Sequence, residues 1–146
     1  MNILAIDFAT TTGFAFGDGQ AMHSGFVCFK AKGKQSKDQR LISFRNWLHD
    51  HARDVDGIAY EAVRSMKSAN AVVALAEMQS VLKMFALEHD IPLFPYSASQ
   101  IKKHITGKGN ASKDDVIEAV NARFNLSIKD NNEADSIAIL SLHNHQ

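Results

Sequence analysis

A single cysteine, Cys28, stands among 146 residues, so no internal disulfide can form, which fits a reducing compartment. Neither sign of charge is in excess: 16 Lys and Arg face 16 Asp and Glu. A neutral chain does not coat nucleic acid through global charge alone. No uncharged apolar stretch approaches the roughly 20 residues that span a bilayer. The apolar run at the N-terminus contains Asp7 and has no basic leader, so a signal peptide is not expected. There is no P-loop pattern, internal repeat or low-complexity segment. These absences leave one soluble, cytoplasmic domain over residues 1–146 as the expectation, with no membrane partner and no small-molecule cofactor. A chain of this length buries roughly 68–70% of its unfolded surface without staples.

What is present is unevenly placed. From Cys28 to Lys37 there are four lysines and no acid, and the same holds from Leu93 to Lys113. Local basic patches on a neutral protein bind phosphate, although each lysine taken singly reads as a solvated loop residue. An apolar run, Ile3 to Ile6, is stopped by Asp7. Runs of this length bounded by turn residues predict buried strands. Strands are expected at Ile3–Asp7, Thr12–Gly17 and Met22–Phe29, forming an antiparallel meander that turns at Gly17-Asp18-Gly19. Lys30, Lys32 and Lys34 then recur at a spacing of two and share a face if the strand continues.

Leu41, Phe44, Leu48 and Ala52 form the apolar stripe of a helix over Lys37–Arg53. Ile58–Glu61 is a short strand that again ends in a carboxylate. Ala69–His89 is a long helix, apolar on nearly all sides, which implies burial on more than one side. One face is expected on the sheet and the other on a second subunit, giving a homodimer through residues 69–89. Burial under another helix of the same chain is the alternative. Pro92–Tyr96 is a fifth strand with prolines at its ends. Ser97 and Ser112 are expected to cap helices ending at Thr106 and Phe124, and a last helix runs from Asn132 to His143. The order predicts an α/β fold: a mixed five-stranded sheet, three antiparallel strands then parallel strands, with helices on both faces.

Asp7, Glu61 and Asp135 each end a strand or start a helix, where distant segments converge. Taken alone, Asp7 also reads as a turn cap. Three carboxylates in contact repel by on the order of 4 kcal/mol per pair at an effective dielectric near 20. Cations make such a cluster favourable, and hard oxygen ligands select Mg²⁺ or Mn²⁺ over zinc or copper. Two such ions activate a water and stabilise the leaving oxygen of a phosphodiester. With lysines nearby to hold the backbone, the pattern reads as a metal-dependent nuclease. His49, His51, His143 and His145 are spaced by two, which does not suit a helical metal pair, and they read as solvated.

Five stretches, in order, resemble the RuvC family of Holliday-junction resolvases, within the ribonuclease H-like superfamily, and most of all its small phage-type members. They are Ile3–Asp7 with the Thr-Gly that follows, Ile58–Glu61, Tyr96–Lys103, Gly107–Lys113 and Ala134–Ala138. The resemblance implies a ribonuclease H-like fold and a homodimer that cuts four-way DNA junctions in paired, symmetric hydrolyses. It implies two Mg²⁺ or Mn²⁺ ions per site held by Asp7, Glu61 and Asp135. Lys102 and Lys113 match basic residues near the scissile phosphate, and Lys113 is counted with the catalytic group. Lys103 and Lys108 extend the DNA-binding set.

Two departures qualify the match. Where the family has a fourth acid or a histidine one turn before the last Asp, this chain has Asn132, with Glu133 beside it. Asn132 can offer its amide oxygen to a metal, since residues three apart share a helix face. Arg64, with Lys67 nearby, replaces an aromatic that wedges into junctions in bacterial members, and is expected to contact DNA. Two rival readings remain: a branched-DNA-binding protein without catalysis, and an actin-like ATP-binding fragment built on the Thr10–Gly13 turn.

Overall fold

Five apolar runs form one mixed sheet in a computed structural model that describes residues 1–18, 21–64 and 68–146. The strands are β1 (Ile3–Asp7), β2 (Thr11–Gly17), β3 (Met22–Cys28), β4 (Gly57–Glu61) and β5 (Leu93–Tyr96), in the spatial order β3-β2-β1-β4-β5. β1, β2 and β3 pair antiparallel, and β4 and β5 add in parallel, as the element order predicts. Pro95 lies inside β5, a position tolerated because β5 is an edge strand and needs no outward N–H.

Both faces of the central strands are covered, which is why β1 reads as a continuous apolar run rather than an alternating one. Leu4 and Ile6 face helices α1 (Gln39–His51) and α2 (Ala69–Glu88), packing with Phe44, Leu48, Met78, Leu82 and Phe85. Ile3 and Ala5 face the opposite layer, made of α3 (Ala98–Thr106), α4 (Lys113–Phe124) and α5 (Asn131–Asn144). Ser97 and Ser112 close capping boxes with Gln100 and Asp115, which start α3 and α4 where the sequence places them.

α5 is more enclosed than its sequence pattern indicates, while α2 keeps one side uncovered in the single chain. α5, not α2, is buried nearly all round, because it lies between β1 and β2 on one side and α3 and α4 on the other. α2 buries Met78, Leu82, Phe85 and Ala86 but leaves Val73 57%, Met84 61% and Leu87 79% exposed. α2 is also long and apolar enough, by length and composition, to cross a membrane, which a count of uncharged residues does not reveal. Glu77 and Lys83 interrupt its middle, and its buried side belongs to the protein's own core.

Candidate active site

Two of the candidate acids, Asp7 and Glu61, stand in one row across the sheet, at the carboxyl ends of β1 and β4 and on the face that carries α5. Glu61 pairs with Tyr96, Asp7 pairs with Gly13, and Gly13 pairs with Phe26. Asp7 and Glu61 lie one step beyond Ile6↔Tyr60, the last rung of the parallel β1–β4 ladder, so they stand side by side. The crevice outside the carboxyl ends of strands is the usual ligand position of open α/β sheets. The end of β4 is held by Ala62 N–H donating to Tyr96 O (2.9 Å) and Val63 N–H donating to the Gln79 side chain (2.9 Å).

The first turns of α5 close the site from above. Gly13 makes this possible: a Cβ there would lie 1.9 Å from the Asn132 carbonyl oxygen, so only glycine lets β2 approach so closely. Asn121 holds the preceding loop by donating to Ile128 O (2.9 Å) and accepting from Ile128 N–H (2.7 Å). Asp130 then caps α5, accepting from Glu133 N–H at 2.8 Å. The helix therefore starts at Asn131, one residue earlier than its sequence pattern indicates.

Asp7, Asp135 and Glu61 lie within electrostatic range of one another. Burial, followed by the charges of Asp135 and Glu61, raises the Asp7 carboxyl well above its usual range. Burial pushes Asp135 up to about 6, opposed by its hydrogen bond to Asp7 and by Lys102 and Lys113. Glu61 is raised by burial and by Asp135, with Lys102 acting the other way. The crowding of buried carboxyl groups that raises Asp7 and Glu61 is a repulsion that a bound cation would relieve. The donors are all hard oxygens, matching Mg²⁺ or Mn²⁺. Among the described residues no three His, Cys, Asp or Glu side chains are already gathered as a metal cage.

Asp130 is the residue that sequence reasoning missed. Its charge raises both Asp7 and Asp135, so it lies within electrostatic range of the cluster. Asp130-Asn131-Asn132-Glu133 has the spacing of a helix-start box, the signal that marks Asp130 as a cap at the site rather than a loop residue. Glu133 is turned elsewhere, accepting from Ser24 Oγ at 2.8 Å. Asn132 is half-buried, and its amide oxygen accepts only a long contact from Asn131 (3.4 Å).

Lys102 on α3 and Lys113 at the start of α4 both act on the acids, while neither forms an ion pair within 4 Å among the described residues. Lys103, Lys108 and Arg64 are exposed. Lys108 lies nearer Asp115 than the cluster. Lys67 lies outside the described residues. His49, His51 and His145 are exposed as expected, but His143 is not solvated: it is half-buried, with Tyr96 Oη at 2.8 Å and the Phe94 ring at 4.5 Å. The Thr10–Gly13 turn offers no phosphate loop. Thr12 Oγ1 donates to Ala9 O (2.6 Å) and accepts from Ala9 N–H (3.1 Å), and Gly13 faces a carbonyl.

A mixed sheet of this order, layered by helices and carrying acids at the ends of β1 and β4 and on the last helix, defines a ribonuclease H-like fold. The family model described as crossover junction endodeoxyribonuclease RuvC matches residues 9–143, starting just after Asp7, and the chain belongs to that family. The RuvC protein of Dehalococcoides mccartyi is 32% identical over 93 residues, 62% of this chain and 56% of that protein. That of Actinobacillus pleuropneumoniae serotype 5b is 34% identical over 91 residues, 62% of this chain and 47% of that protein. The chain's match thus spans about half the length of these relatives. Thermus thermophilus RuvC, solved in complex with a Holliday junction substrate, has the same fold at a TM-score of 0.79 and 20% identity, covering 99% of this chain and 93% of that one.

Proposed function

We propose that this chain is a metal-dependent, structure-specific endodeoxyribonuclease that resolves four-way and other branched DNA junctions by paired phosphodiester hydrolysis. The observation that carries the reading is geometric: Asp7 and Glu61 end the neighbouring parallel strands β1 and β4, and α5 brings Asp135 within electrostatic range of both, with Lys102 and Lys113 nearby. Asp7, Glu61 and Asp135 would hold Mg²⁺ or Mn²⁺, two ions per site, with Asn132 and Asp130 completing the donor set. Bound there, such ions supply an activated water and stabilise the leaving oxygen. The chain's own part is to fix the acids on rigid elements, to exclude bulk water beneath α5, and to draw the phosphate in with Lys102 and Lys113. Arg64, Lys67, Lys103 and Lys108 would extend the contact along the DNA backbone, where each charge strengthens binding in a salt-dependent way.

The exposed side of α2 supports a homodimer, which paired cutting of a symmetric junction needs. The unpaired cysteine at the end of β3 supports a cytoplasmic setting, the host cytoplasm for a phage-encoded protein. The residues 1–146 act as one nuclease domain in this reading. Its test is a four-way junction incubated with protein and Mg²⁺ or Mn²⁺. The parent should release paired nicked duplexes, and Asp7→Asn should bind without cutting. A second reading, a branched-DNA binder without catalysis, rests on Asn132 standing where relatives have an acid or a histidine. Binding without nicking in either metal would establish it.

A further inference from the structure

Two features lie outside that reading: an exposed aromatic on the edge strand and the acid-free run of lysines that follows it. Phe26 is 55% exposed, the one Phe, Tyr or Trp in the exposed class among the described residues. An exposed phenyl ring forgoes burial, and its position gives that exposure a use.

Phe26 is level with Gly13, and Gly13 with Asp7, so all three lie in one row on the α5 face of the sheet. Strands are about 4.8 Å apart, so Phe26 and Asp7 are separated by about 10 Å, the length of roughly three stacked base steps. The first turn of α5 stands over Gly13 between them, and Ser24, two residues before Phe26 on the same face, is tied to that turn through Glu133. Phe26 therefore has a rigid base at a set distance from the acids. β3 is an edge strand, so no strand among the described residues pairs with its outer side.

Beyond Phe26 the chain continues through Cys28, exposed, to Lys30, Lys32, Lys34 and Lys37, all exposed. None of these four forms an ion pair among the described residues. Aromatic faces combined with cations along a backbone track are the usual machinery for holding single-stranded nucleic acid.

We infer that β3 and the 30–37 segment form a second DNA tract, in which Phe26 stacks on an unpaired base of the strand leaving the crossover and the lysines hold that strand's phosphates. This rests on the chain acting on branched DNA, but not on its cutting it. The tract gives the protein an aromatic contact at the branch point from β3, on the opposite side of α5 from Arg64.

The experiment uses the full chain in EDTA, which prevents cutting, and four-way junctions carrying 2-aminopurine at successive positions beside the crossover. The parent should change the fluorescence at one or two of these positions. Phe26→Ala should abolish that change and weaken binding about tenfold, while Phe26→Trp restores both. Replacing Lys30, Lys32 and Lys34 together by Ala should reduce the slope of log affinity against log salt by about 0.9 per lysine. Unchanged Tm in Phe26→Ala shows that the fold is intact. If the parent binds and cuts junctions while Phe26→Ala binds with the same affinity and fluorescence change, this inference falls and the nuclease reading stands. If the parent binds but never cuts when metal is added, the nuclease reading falls and the Phe26 comparison still decides. A parent that binds no DNA overturns both.

Discussion

Asp7 is the residue on which the site turns, and its chemistry is an unresolved repulsion. It is raised well above the usual carboxyl range by burial and by Asp135 and Glu61, and Asp135 is pushed up to about 6. A group whose folded pKa is raised binds more protons in the folded than in the unfolded state between the two values. The metal-free fold therefore loses stability as pH rises from about 4, the unfolded value, through 6 and above. Asp7→Asn removes one of the opposing charges, so in EDTA at pH 7.5 its Tm should exceed the parent's by a few degrees, a gap that closes at pH 4. A parent that stays at least as stable at pH 7.5 as at pH 4.5, relative to Asp7→Asn, would show the acids are not strained. Mn²⁺ at about 100 times its Kd should stabilise the parent by about 2.7 kcal/mol, and Asp7→Asn should lose most of that. Asp130 separates charge from capping. Asp130→Asn keeps an N-cap acceptor and should leave Tm nearly unchanged while weakening Mn²⁺ binding severalfold by calorimetry. Asp130→Ala should lose about 1 kcal/mol of stability as well. Asp7 and Glu61 were legible in the sequence because an apolar run stopped by an acid has few structural meanings. Asp130 was hidden because a cap five residues before Asp135 looks like any polar loop residue until the first helical residue is known.

At the scale of elements, α5 organises the site, since it brings Asp130 and Asp135 down onto the row that holds Asp7 and Glu61. Its closeness depends on Gly13. Gly13→Ala would set a methyl group 1.9 Å from the Asn132 carbonyl, so α5 must lift. The expected cost is about 3 kcal/mol or more, a Tm drop of roughly 6–12 °C in a chain of this size. Mn²⁺ affinity should fall with it, because the lifted helix carries two of the acids. Gly109→Ala is the control: a Cβ there meets its nearest atom at an ordinary 3.6 Å, and Tm should barely move. Equal behaviour of the two variants would remove the argument for the α5–β2 contact. The antiparallel and parallel strand directions and the two serine caps were readable from apolar runs and turn punctuation, both local signals. Which helix is wrapped on every side was not. Ser136, Ser141 and His143 make α5 look amphipathic, whereas its small residues admit the sheet, α3 and α4 together. α2, richer in apolar residues, has neighbours on one side only.

At the scale of the molecule, the proposed paired cutting of a symmetric substrate would depend on the outer side of α2. Val73, Met84 and Leu87 are exposed on α2, and Ile42 on α1 extends the patch. A groove of about 550 Å³ between the two helices, lined by Leu41, Ile42, Val81 and Met84 among others, continues it. Grouped apolar exposure of this kind marks an interaction surface, and a twofold junction calls for a twofold partner. Because Met84 and Leu87 contribute little to the chain's own core, Met84→Lys with Leu87→Glu should keep the monomer's stability within about 1 kcal/mol of the parent's. The same two charges, three apart on one helix face, would have to be desolvated in a dimer interface, a cost their mutual attraction does not repay, and should shift sedimentation from dimer to monomer at micromolar concentration. Cleavage then separates two events that a dimer couples. On a supercoiled plasmid that extrudes a cruciform, the parent should yield linear product from paired cuts, and the double variant mainly nicked circles, because one active site reaches one strand at a time. A variant that is monomeric yet still yields linear plasmid in one binding event would place the pairing of cuts elsewhere than α2, and a parent that sediments as a monomer both free and on junction DNA would remove the dimer altogether.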